Sequence, residues 1–107
     1  MTDIKILDDR EKLVLYSIVK NFILTANPVG SNFISKNSSF NFSPATIRKI
    51  MVQLEEKGFI YQPHTSAGRV PTSFGYRIFV DQIMKKGRLT SEEKLRIQEV
   101  VNIAAGD

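Results

Sequence analysis

Cysteine and tryptophan are absent from this 107-residue chain, and histidine occurs once. Without a thiol, disulfides, iron–sulfur clusters and thiolate zinc sites are excluded. A lone histidine with few acids around it supplies neither a metal ligand set nor the converging groups that acid–base or nucleophilic chemistry requires. No Gly-rich strand–loop–helix followed by lysine is present to cradle a nucleotide phosphate. No run approaches the ~18 to 20 consecutive apolar residues of a membrane span. The opening "MTDIKILDDREK" mixes charges and lacks the basic cap and apolar run of a signal peptide. The expectation is a cytoplasmic protein that is not an enzyme, needs no cofactor and binds no metal.

What is present is an apolar fraction of 42%, ordinary for a soluble domain, in a length that supports one core. The net charge of +4 is unevenly spread. Residues 43–88 hold eight Lys/Arg (Arg48, Lys49, Lys57, Arg69, Arg77, Lys85, Lys86, Arg88) against three acids (Glu55, Glu56, Asp81), a net +5, and the remainder carries −1. Such a segment is either a solvated basic face or the footprint of a polyanion.

Helix punctuation is frequent. Asp8 or Asp9 caps a first helix to about Ala26, with Leu15, Ile18, Val19 and Phe22 as its apolar stripe. "ANPVG" breaks it, since Pro28 cannot continue a helix and Gly30 frees the backbone. A short helix capped by Ser31 follows, burying Phe33 and Ile34, and then a polar turn, "KNSSFNF", pinned by its aromatics. "SPATIRKIMVQLEEKG" reads as a helix with Ser43 as N-cap, Pro44 at the first position and Gly58 as the left-handed stop. Ile47, Ile50, Met51 and Leu54 share one face; Ala45, Lys49, Val52 and Glu56 lie opposite, flanked by Arg48 and Gln53. "FIYQ" and "RVP" read as two short strands around the turn "HTSAG". A further helix, capped by Thr72 or Ser73, places Tyr76, Phe79, Val80 and Ile83 on one stripe and ends at Gly87. A last helix opens with a Thr90–Glu93 capping box. The division expected is 1–88 as the main domain and 89–107 as a C-terminal helix, linker or dimerisation element.

The order helix, short helix, helix, two-stranded hairpin, helix is that of a winged helix-turn-helix, an α+β, mostly α fold in which the third helix enters the DNA major groove. Candidate contacts on that helix are the Ser43-capped N-terminus toward phosphate, Arg48 and Lys49 toward phosphate or guanine, Gln53 toward adenine, and Ala45 and Val52 toward thymine methyls. The loop "HTSAGRVP" could hold a catalytic histidine, cradle a phosphate, or form the tip of the hairpin. Its neighbours favour the hairpin tip, with Gly68 making the turn, Arg69 aimed at the DNA backbone, and His64 bonding or packing at the entry. The competing reading is a winged helix that binds only protein.

Four blocks, "PVGS", "FSPATIRKIMVQLEEKGFI", "HTSAGRVPT" and "GYRIFVD", together resemble the N-terminal domain of the heat-inducible transcription repressors of the HrcA family, over about residues 8–85. The resemblance implies a repressor of chaperone genes that binds an inverted-repeat operator, called CIRCE, as a homodimer, and whose full-length forms are partnered by chaperonin. It implies a recognition helix from Ser43 to Lys57, with Thr46 and Arg48 in the family's ATIR block, and a wing from His64 through Thr65, Ser66 and Gly68 to Arg69. After ATIR the family carries Asn-Glu where this chain has Lys49-Ile50, an exchange expected to make the helix more basic. The family continues well beyond this chain's length, so an excised domain and a short natural relative are both open. In the first case Leu13, Leu24 and the last helix would face the missing part.

Overall fold

The computed structural model describes residues 7–64 and 67–85, with side chains given up to Asp81. Four helices and one hairpin follow in the order α1 (Asp9–Thr25), α2 (Ser31–Asn37), α3 (Pro44–Glu56), β1 (Ile60–Tyr61), β2 (Val70–Pro71), α4 (Ser73–Lys85). The expected winged helix-turn-helix is therefore the observed fold. The Ile83 side chain, the stop at Gly87 and the whole of the last expected helix lie outside the described residues.

Local rules account for most helix ends. Asp8 caps α1 by accepting from the Glu11 N–H at 2.8 Å, and Glu11 Oε1 accepts from the Asp8 N–H at 2.9 Å. This reciprocal pair satisfies two otherwise orphaned donors. Ser43 Oγ accepts from the Thr46 N–H at 3.1 Å, with Pro44 at the first position of α3. Gly58, at φ +83°, takes the left-handed turn after α3.

The break after α1 falls within "ANPVG" as expected, but three readings around it are corrected: the freedom of Gly30, the Ser31 cap and the burial of Phe33. The break after α1 occurs at Ala26, which itself adopts the left-handed conformation at φ 58° and donates its N–H to the Phe22 carbonyl. Gly30 is extended, at φ −96° and ψ 161°, so no glycine freedom is used there. Gly30 rather than Ser31 is the N-cap of α2, and Phe33 is 43% exposed, which leaves Ile34 as the buried residue of that helix. A seven-residue helix packed along one side buries only one such position. Phe40 and Phe42 do pin the following turn, with their rings 4.8 Å apart against the core.

The core joins Val14, Leu15, Ile18 and Val19 of α1, Ile34 of α2, Ile47, Ile50, Met51 and Leu54 of α3, Phe59 and Ile60 of the hairpin, and Tyr76, Ile78, Phe79 and Val80 of α4. Burial pushes the pKa of the Tyr76 phenol well above that of a free tyrosine, and nearby Tyr61 adds to the shift. The hairpin pairs Ile60 with Pro71 and Tyr61 with Val70. It is extended by a third, one-residue strand that the sequence did not disclose. Val29, in the α1–α2 connection, exchanges two backbone hydrogen bonds with Arg69, both 2.9 Å.

At the start of α4, Thr72 donates its hydroxyl to the Gly58 carbonyl at 2.7 Å and accepts from the Gly75 N–H at 3.0 Å. This draws the first turn of α4 onto the strand. A Cβ at Gly75 would overlap the Phe59 carbonyl, whereas one at Gly30 meets nothing within 4 Å. Gly75→Ala is therefore expected to cost roughly 2–4 kcal/mol, because backbone rather than a mobile side chain must move, and Gly30→Ala close to nothing. Urea unfolding of the two variants checks the contrast; equal midpoints would refute it.

Candidate nucleic-acid interface

Helix α3 is amphipathic in a way that separates two tasks. Its inner face is the core stripe Ile47, Ile50, Met51 and Leu54, none more than 2% exposed. Its outer face presents Ala45, Arg48, Lys49, Val52, Gln53 and Glu56, all exposed, with Ser43 exposed just ahead of the helix and Thr46 half-buried beside it. Val52 is 47% exposed, a large apolar side chain on an otherwise polar surface. Arg48 reaches back to α2, its Nη1 donating to Ser31 Oγ at 3.4 Å. The exchange at 49–50 divides between the faces. Lys49 is outside, but Ile50 is in the core at 1% exposure. Lys49 therefore adds its charge to the outer surface, and Ile50 serves the packing of the core.

The last turn of α3 is committed to the fold. Lys57 Nζ donates to both carboxylate oxygens of Glu11 at 2.9 Å, and the Glu11 side chain is 4% exposed. Glu55 accepts from Arg69 Nε at 3.3 Å.

The wing differs from its sequence reading at three positions. Arg69 does not extend away from the hairpin: its side chain is 15% exposed, paired with Glu55, and Nη1 donates to the Ala67 carbonyl at 2.8 Å. Charge complementarity with a residue fourteen positions earlier captures it. Gly68 sits in the bend of the wing as expected, but it is buried and its φ is not positive, the positive-φ glycine among the described residues being Gly58. It is needed because its Cβ would sit 2.9 Å from the backbone carbon and the Cβ of Pro28. His64 is exposed in a turn rather than packed at the entry. Thr65 and Ser66 lie outside the described residues. The structure thus brings Ser43, Ala45, Arg48, Lys49, Val52 and Gln53 onto one surface of α3 and places Gly68 and Arg69 in the stem of the wing. Sequence reasoning missed Val29, Pro28 and Glu55 as partners of that stem. An acid in the last turn of α3 and a cation at the returning strand are the available signals for the ion pair.

Among the described residues no group of three or more His, Asp or Glu side chains could hold a metal ion, and no helix is long and apolar enough to cross a membrane.

No protein-family model matches the chain. Individual proteins do. It is 52% identical over 89 residues to the heat-inducible transcription repressor HrcA of Chlorobium phaeovibrioides, covering 83% of this chain and 25% of that protein. The HrcA repressor of Acetivibrio thermocellus is 48% identical over 96 residues, 90% of this chain and 27% of the relative. That of Pelotomaculum thermopropionicum is 54% identical over 88 residues, 82% and 25%. The resemblance to the HrcA repressors holds. The chain spans about a quarter of the length of these HrcA relatives and matches their N-terminal region. A crystal structure described as that of a hypothetical protein superposes with a TM-score of 0.73 at 48% identity, covering 77% of this chain and 26% of that one.

Gly68→Ala tests the seat of the wing on the α1–α2 connection. A methyl group there pushes the stem from Pro28, so amide exchange at Val29 and Arg69 is expected to accelerate at least tenfold while the α1 core amides keep their protection. Unchanged exchange at both amides would show that the contact does not hold the wing.

Proposed function

We propose that this chain is the DNA-binding part of a heat-inducible transcription repressor of the HrcA kind. It is a regulator without enzymatic activity that docks α3 in the major groove of an inverted-repeat, CIRCE-type operator. The observation that carries the reading is the outer face of α3. A helix whose capped N-terminus, two cations, one amide and two small apolar groups all lie on the side away from the core has the chemistry that base edges and flanking phosphates require. The similarity to heat-inducible transcription repressors supports transcriptional repression as the use of that face.

In this reading Ser43, Thr46 and the first N–H groups of α3 approach phosphate. Arg48 and Lys49 meet phosphate or guanine, and Gln53 meets adenine. Ala45 and Val52 lie against thymine methyls. His64, Thr65 and Ser66 at the wing tip touch the neighbouring backbone without a formal cation. Two copies on the two half-sites suit an inverted repeat, with chaperonin a partner of the full-length repressor. A protein-binding winged helix is the second reading, favoured by the exposed Leu24 (57%) and Phe33 (43%).

Titration of an operator duplex against a scrambled duplex through a salt series decides between them. Specific binding is expected to exceed non-specific by about a thousandfold or more and to weaken steeply with salt. Lys49→Ala is expected to lower the magnitude of the log–log salt slope by about 0.9, the release of one counterion. Equal affinity for both duplexes would favour the protein-binding reading.

A further inference from the structure

The wing stem carries an arginine whose surroundings do not suit a DNA contact. We infer that Arg69 is a positioning residue: its ion pair with Glu55 fixes the wing to the last turn of α3, so that helix and wing meet the duplex at one set spacing. The inference rests on the DNA-binding reading above and names what regulates the geometry of that same surface.

Three observations converge on this. First, the guanidinium is used from two sides, by Glu55 at 3.3 Å and by the Ala67 carbonyl at 2.8 Å, with the side chain 15% exposed. The first contact ties the stem to α3, and the second closes the wing on itself. Second, the backbone of the same residue is held by Val29 through two 2.9 Å hydrogen bonds, and neighbouring Gly68 fits against Pro28. Residue 69 is therefore the point where the wing, the α1–α2 connection and the recognition helix are joined. Third, the hairpin from Gln62 to Gly68 contains no lysine or arginine. A wing without cations gains little from long-range attraction to phosphate, so its contribution depends on being held where short-range contacts form.

Glu55 also has a reason to be neutralised. It stands on the helix proposed to face a polyanion, and Arg69 offsets its charge locally. A free arginine would serve DNA as a counterion; this one serves as the partner of an acid.

The two roles give opposite results in measurements on the 107-residue chain. A phosphate-contacting arginine predicts that Arg69→Ala lowers the magnitude of the salt slope by about 0.9, and that Glu55→Ala, by releasing the arginine and removing an acid, tightens binding. A positioning arginine predicts that each variant weakens operator binding by about tenfold. The double variant is then no worse than either single one, because the same tie is lost once, and the salt slope of Arg69→Ala stays near that of the wild type. The reversed pair, Glu55→Arg with Arg69→Glu, is expected to recover part of the loss. A slope drop near one unit, or tighter binding by Glu55→Ala, overturns the proposal.

Amide exchange of the DNA-free protein reads the tie independently. Glu55→Ala and Arg69→Ala should both accelerate exchange at Val29 and at Arg69 or its substitute, and unaltered protection in both would overturn the proposal as well. If the wild-type chain binds no operator, the functional reading fails, and the exchange result still decides whether Arg69 positions the wing.

Discussion

The placement of α3 depends on one buried carboxylate. Glu11 lies in the first turn of α1 with its side chain 4% exposed, and a carboxylate so far from water must be fully served by donors. The Asp8 N–H serves one oxygen, and the Lys57 ammonium bridges both. A local capping device of α1 is thereby extended into a long-range link to the residue that ends α3. Apolar packing of Ile47, Ile50, Met51 and Leu54 fixes which face of α3 turns inward, but apolar contacts are non-directional and tolerate sliding along the helix axis. The charged link at the last turn removes that freedom. With its end fixed there, α3 projects its opposite end, from Ser43 to Lys49, outward.

Fixing the helix in this way sorts its charges. Glu55 and Lys57, near its end, face structural partners of opposite sign, Arg69 and Glu11. Arg48 and Lys49, near its start, lie on the exposed face, and Arg48 is bonded only to a neutral hydroxyl in the contacts described here. The outward positive charge of the helix is therefore concentrated at its N-terminal half, where the positive end of the helix dipole adds to it. The basic excess of residues 43–88 in the sequence is not uniformly a ligand-facing charge, since Lys57 and Arg69 belong to the framework.

Elements governed by local chemistry were legible in the sequence. The Asp8 cap, the Ser43–Pro44 start, the Gly58 stop and the inner stripe of α3 each depend on residues within one or two helical turns, and all appear as read. The failures share a different origin. Gly30 is extended where backbone freedom is expected of it, and the left-handed residue of the connection is Ala26, which no local preference singles out. Gly68 was assigned to a turn, but the demand on it comes from Pro28 across the fold. Arg69 is expected to face the DNA backbone, and its acid, Glu55, comes from another element. Periodicity says which residues share a face, and only the fold says what stands opposite that face.

The stem of the wing shows how a two-stranded hairpin, marginal by itself, is made into a rigid appendage. Its strands are only two residues long, so the ladder contributes few hydrogen bonds. Val29 adds two more from outside the hairpin, Pro28 supplies a surface that only glycine can meet, and Thr72 ties the returning strand to the turn after α3 through the Gly58 carbonyl. Each of these fastenings is at the base, and none is at the tip. A hairpin restrained at its stem loses its rigid-body freedom on folding rather than on binding, so less ordering cost remains to be met when a ligand arrives. In the proposed DNA-binding role the uncharged tip would contribute short-range contacts, and the salt-sensitive share of binding would fall to the N-terminal half of α3. Electrostatic attraction and geometric register are in this way assigned to different elements. The ion pair between Glu55 and Arg69 is the place where the two elements are coupled.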